Sequence, residues 1–77
     1  MTRLETHSRY YLCAVQQDLF GHWEVWRCWG AKASALGQSM RQPAADEAEA
    51  RRLLDAVLKV RARRGYCVVA GVNAAES

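Results

Sequence analysis

Trp23-Glu24-Val25-Trp26-Arg27-Cys28-Trp29-Gly30 carries all three tryptophans of the chain within seven positions. Trp, Val and Cys suit a pleated, half-buried surface, so the segment reads as a β-strand. Successive side chains of a strand face opposite ways. Trp23, Val25, Arg27 and Trp29 therefore share one face, and Glu24, Trp26 and Cys28 share the other. Both faces hold large apolar groups, which predicts a central strand covered at least partly on each side. Gly30 follows at once and permits a sharp change of backbone direction.

The rest of the chain supplies partners for that strand. Ser8–Gln16 is rich in strand formers, with Tyr10, Leu12 and Ala14 on one face and Tyr11, Cys13 and Val15 on the other. Asp18 and Gly21 give turn chemistry between the two strands, predicting an antiparallel hairpin centred near Phe20. Leu19 and Phe20 are unusual turn residues. In so small a domain they are expected to fold back over one end of the core, the alternative being an exposed contact. Ala31–Gly37 reads as a loop of small residues closed by a second glycine, Gly37–Gln42 as a third strand, and Pro43 as its end. Asp46 is a good helix N-cap, with Glu49 three residues on as in a capping box. Ala50, Leu53, Leu54, Val57 and Leu58 recur at helical spacing and should pack on the sheet. Arg61, Arg63 and Arg64 crowd the last turn before Gly65, the expected stop. Tyr66–Ala70 is a last short strand. The expected fold is thus α+β: a small antiparallel sheet of about four strands with one α-helix packed across it. Residues 1–8 read as a flexible, polar lead and 71–77 as a flexible tail around a domain at 9–70.

A chain of 77 residues buries only about 60–65% of the surface its unfolded form exposes. That leaves no room for a deep cleft with its own supporting shell, and His7 and His22 fall in a polar lead and a turn. No nucleophile with its base and orienter can be assembled, so the expectation is a non-enzyme. Cys13, Cys28 and Cys67 show no CxxC spacing, fit neither a zinc site nor a disulfide framework, and read as reduced core thiols. A Cys13–Cys28 bridge across the hairpin is the alternative in an oxidising setting. No metal or other cofactor is implied, and no small-molecule substrate is evident. The first residues contain no apolar leader core and no run is long enough to span a bilayer, so a soluble cytoplasmic protein without membrane contact is expected.

The formal charge is +3 with a sequence pI near 9.0, a mild basic bias that permits a phosphate-bearing partner. Lys59, Arg61, Arg63 and Arg64 place four cations in six residues at a helix end, where they also suit the helix dipole. Arg27, Lys32 and Arg41 add charge near the sheet and the glycine-containing loop. Spacing favours a core place for Trp26 and leaves Trp23 and Trp29 open between core and contact. A tryptophan beside a glycine loop can stack on a sugar or base, worth about 1–3 kcal/mol.

The order of features resembles a WGR domain. Arg9-Tyr10-Tyr11-Leu12 is followed by Asp18-Leu19-Phe20-Gly21, then Trp29-Gly30, then Gly37-Gln38-Ser39, then an Ala/Glu-rich helix ending in Arg63-Arg64-Gly65-Tyr66. The resemblance spans about residues 9–69, and the chain resembles short bacterial proteins with little besides this domain. It implies an antiparallel sheet crossed by one helix. In poly(ADP-ribose) polymerases the domain binds DNA ends at breaks, with the signature Trp against the sugar of the terminal nucleotide; here that role falls on Trp29. The signature Arg is absent, Ala31 standing in its place with Lys32 beside it, and the loop to Gly37 lacks its internal glycine. Two functions follow as expectations. One is DNA binding at ends or nicks, chiefly through backbone phosphates, by Trp29, Gly30, Lys32, Arg27, Gln38, Arg41, Lys59, Arg61, Arg63 and Arg64. The other is a protein–protein module that has lost DNA contact, with Leu19, Phe20 and Trp23 as contacts.

Overall fold

A computed structural model describes residues 1–71. Five strands and one helix follow in the order β1 (Thr2–Glu5), β2 (Arg9–Gln17), β3 (Trp23–Ala31), β4 (Gly37–Pro43), α1 (Glu47–Arg63) and β5 (Cys67–Gly71). The strands make one sheet of order β4-β3-β2-β1-β5, and every neighbouring pair is antiparallel. This is the α+β fold expected, with one strand more.

The added strand is β1, inside what reads from sequence as a flexible polar lead. Thr2–Glu5 lies between β2 and β5, with Leu4 opposite both Tyr11 and Val68. Leu4 is only 1% exposed and belongs to the core cluster with Tyr11, Cys13 and Val57. A single leucine among polar residues carries no periodic signal, and its order comes from pairing on both sides. On the other face Glu5 is held by Arg3 at 2.6 Å and by Lys32 at 2.7 Å. At the far end, Gly71 closes β5 instead of opening a tail; residues 72–77 of the expected tail lie outside the described residues.

The β2–β3 hairpin pairs Arg9 with Ala31 and continues without slip to Gln17 with Trp23. Its loop is locked by Asp18, whose carboxylate accepts from the backbone N–H of Phe20 and of His22 while its carbonyl accepts from Gly21. Gly21 takes φ +83°, the left-handed conformation this short loop needs. The turn does not fold back: Leu19 is 99% and Phe20 85% exposed. The loop's hydrogen bonds close within Asp18–His22, and its two central side chains point away from the sheet rather than over it.

Helix α1 starts as its sequence dictates. The Asp46 carboxylate accepts from Glu49 N–H at 2.8 Å, and the Glu49 carboxylate accepts from Ala45 N–H at 3.2 Å. It ends in a Schellman motif, Gly65 (φ +91°) bonding Ala62 and Tyr66 bonding Arg61. That closure returns Tyr66 to the core, edge-on to Tyr11 with ring centroids 6.0 Å apart.

The helix covers one face only. Val25, Tyr11, Cys13 and Leu4 are buried beneath it with Ala50 and Val57. The opposite face, with Tyr10, Leu12, Ala14, Trp26 and Cys28, carries no second layer among the described residues. Trp26 is therefore half-exposed, a correction to its expected core place: alternation sends it away from the helix, and one helix cannot cover both sides. Cys13 and Cys28 are free and occupy opposite faces, which excludes a bridge between them here. Burial pushes the Cys13 thiol pKa up.

Candidate nucleic-acid interface

The open end of the β2–β3 hairpin concentrates polar and aromatic groups around Trp29. The register places Tyr11 directly opposite Trp29, and their rings stack with centroids 5.7 Å apart and planes 12° from parallel. Trp29 is half-buried and packed on the core. Tyr11 thus holds one face of the Trp29 ring, and Trp29 also lines an open pocket of about 280 Å³.

Gly30 and Gly37 are paired across β3 and β4, and the Tyr10 side chain lies over both. A Cβ at Gly37 would sit 2.7 Å from the Tyr10 hydroxyl, and one at Gly30 3.0 Å from it. Close approach of a ring, rather than backbone conformation, requires glycine at these positions. The ring of Tyr10 thus covers both glycines on the sheet face opposite the Trp29 side chain.

The pocket is lined by Trp29, Gly30 and Gln38 together with Arg9, Ser34 and Leu36. Three of the ten residues expected at the interface, Trp29, Gly30 and Gln38, are thereby brought together. Lys32 is not among the lining residues; its ammonium is tied to Glu5. The Lys32 hydrogen bond, followed by that of Arg3, holds the Glu5 carboxyl below its ordinary pKa. Arg41 lies on the uncovered face opposite Trp26, 3.7 Å from Glu24. Arg27 runs beneath the helix to Met40 and Tyr11. Arg61 lies over the Tyr11 ring, 4.8 Å from its centroid. Lys59, Arg63 and Arg64 are exposed at the helix end. The expected cations therefore fall in four places rather than one patch: Lys32 at Glu5, Arg41 at Glu24, Arg27 with Arg61 around Tyr11, and Lys59, Arg63 and Arg64 at the helix end.

The cation that does line the pocket is Arg9, directly opposite Ala31. Its side chain is exposed and makes no ion pair or hydrogen bond among the described residues. Sequence reasoning noted Arg9 only as the lead of an aromatic strand. A signal was present: in a hairpin centred on residue 20, position 9 faces position 31.

Among protein families, the WGR domain matches residues 2–72, nearly the whole chain. This chain belongs to the WGR family. No curated protein and no solved structure gives a match. The match begins at Thr2, in agreement with β1 being part of the domain fold. WGR is a family known for nucleic-acid binding, and a small binding-type domain rather than a catalytic one. No group of three or more His, Cys, Asp or Glu residues among those described could hold a metal ion. No helix among them is long and apolar enough to cross a membrane.

Proposed function

We propose that this WGR domain binds DNA, at ends or nicks, chiefly through backbone phosphates and without catalysis. The observation that carries this reading is the 280 Å³ pocket lined by Arg9, whose side chain has no ion pair or hydrogen bond among the described residues, together with the half-buried Trp29, Gly30 and Gly37. A partly exposed indole suits a sugar or base. A guanidinium with free N–H groups suits a phosphate, and its planar fork does what an ammonium cannot. Arg9 thus takes the place expected of Lys32 beside the missing arginine at Ala31. Lys59, Arg63 and Arg64 add attraction without fixed contacts.

The test is fluorescence anisotropy of a short duplex with a 5′-phosphorylated nick, over a salt series. If three phosphates are neutralised, affinity falls about 40-fold between about 50 and 200 mM salt. Trp29→Leu keeps an apolar contact on Tyr11 and should weaken binding while circular dichroism shows a folded domain. Affinity that does not change with salt contradicts the phosphate mechanism.

One observation favours the protein-contact reading. Leu19 and Phe20 stand almost fully exposed on a hydrogen-bonded turn, and exposed rigid aromatics anchor interfaces. A defined partner that co-purifies with the wild type and is lost in Leu19→Ser/Phe20→Ser would establish it. Trp23, the third contact expected, is half-buried at the base of that turn.

A further inference from the structure

A second cleft, of about 190 Å³, opens between α1 and the β3–β4 half of the sheet. It shares no lining residue with the Trp29 pocket. Leu53, Val57 and Val60 wall it from the helix, Gln42 from β4, and Arg27 and Arg61 supply its charge.

The two arginines are unusual in what they lack. Both are half-buried, and both have a buried Nε–H with no acceptor. Neither has a carboxylate: the ion pairs of the described residues engage Arg3, His22, Lys32, Arg41 and Arg51. Arg27 reaches only the Tyr11 hydroxyl at 3.5 Å and the Met40 thioether at 2.9 Å, a long contact and a weak acceptor. Arg61 meets only ring faces, those of Tyr11 and Tyr66. Two guanidiniums therefore flank Tyr11 without an anion between them. Taking charge and N–H groups from water without a partner is costly. An anion in the cleft offsets that cost, and the apolar helix wall selects one with an apolar body. An apolar cavity of about 150 Å³ admits benzene, so this cleft has room for a ring or short chain plus one carboxylate.

We propose that this cleft binds a small monocarboxylate of about benzoate's size, its carboxylate held by Arg27 and Arg61 and its apolar body lying against Leu53, Val57 and Val60. The site is independent of the DNA reading and stands or falls separately from it.

The experiment is a titration of the whole chain with sodium benzoate at constant ionic strength, read by NMR at the methyl groups of Leu53, Val57 and Val60 and the arginine Nε–H signals. Benzyl alcohol, of the same size but uncharged, is titrated in parallel. The expected result is saturable movement of these signals by benzoate in the millimolar range, with benzyl alcohol at least about tenfold weaker. Arg27→Met and Arg61→Met, which keep the apolar stems, should each weaken benzoate about tenfold. The proposal is overturned by shifts that do not saturate, by equal binding of benzyl alcohol, or by shifts confined to Trp29 and Arg9. Should the variants fail to fold, the benzoate and benzyl alcohol comparison on the wild type decides alone.

Discussion

The two ends of the β2–β3 hairpin are built from the same kinds of residue and do opposite things with them. At the open end, Tyr11 and Trp29 pair in register and turn inward under the helix, leaving part of Trp29 and Arg9 at the surface. At the tip, Leu19 and Phe20 turn wholly outward. The difference lies in what the backbone already has. The tip closes its hydrogen bonds locally, within Asp18–His22, so its backbone is ordered without packing of its side chains. The open end has neighbours on several sides: β1 beside β2, the returning Tyr66, and the loop after Ala31. Apolar residues are buried where elements converge rather than wherever they occur.

This contrast can be broken first through β1. Leu4→Ala should cost about 2–5 kcal/mol, the usual loss for a fully buried leucine, measured by urea unfolding. A change within about 0.5 kcal/mol, as for surface sites, would return Thr2–Glu5 to the periphery and leave β2 without its ordered neighbour at the open end.

A smaller effect tests the paired glycines. Gly37→Ala should cost about 1–2 kcal/mol, because its methyl group meets the Tyr10 hydroxyl and the Trp29 carbonyl. Much of that cost should disappear in the Tyr10→Phe background, where the nearest atom is gone. Additive costs in the double-mutant cycle would mean that the ring does not set the glycine requirement.

The smallest effects are electrostatic, one carboxylate at each end. Glu5 is held below its ordinary pKa first by Lys32 and then by Arg3; Asp18 is held low first by the backbone N–H of His22, with that of Phe20 adding to it. Because both folded-state values are depressed, both contributions are present above the unfolded values and are lost as pH falls through the folded ones. Thermal melts over an acid series should show Glu5→Gln and Asp18→Asn each flattening part of the acid loss. At about 1 M salt the Glu5 contribution, which depends on exposed ions, should shrink, while the Asp18 contribution, made by backbone hydrogen bonds, should persist. Equal salt sensitivity would erase the distinction.

Much of the open end was legible in the sequence. The alternation in Trp23–Trp29 gives the correct faces, and a hairpin centred near Phe20 gives the correct register. Asp46, Glu49 and Gly65 mark the helix ends. What was not legible depends on the third dimension. Thr2–Glu5 has one apolar residue and becomes a strand only between two partners. Trp26 is apolar enough for a core, yet the chain has only one helix to cover two faces. Lys32 stands nearest to Ala31 in sequence, but Glu5, contributed by that unforeseen strand, captures it. Arg9, twenty-two residues from Ala31 along the chain, is its neighbour in the sheet.

The most direct measurement sets the two ends against each other in one assay: binding of the nicked duplex at about 50 mM salt by Arg9→Ala and by Leu19→Ser/Phe20→Ser. Loss of a charge-assisted phosphate contact should weaken Arg9→Ala about tenfold or more and reduce its salt slope by about 1. The tip variant should bind within roughly twofold of the wild type, as expected of a surface change. Wild-type affinity in Arg9→Ala, or a loss that follows the tip instead, would contradict the placement of the interface at Trp29.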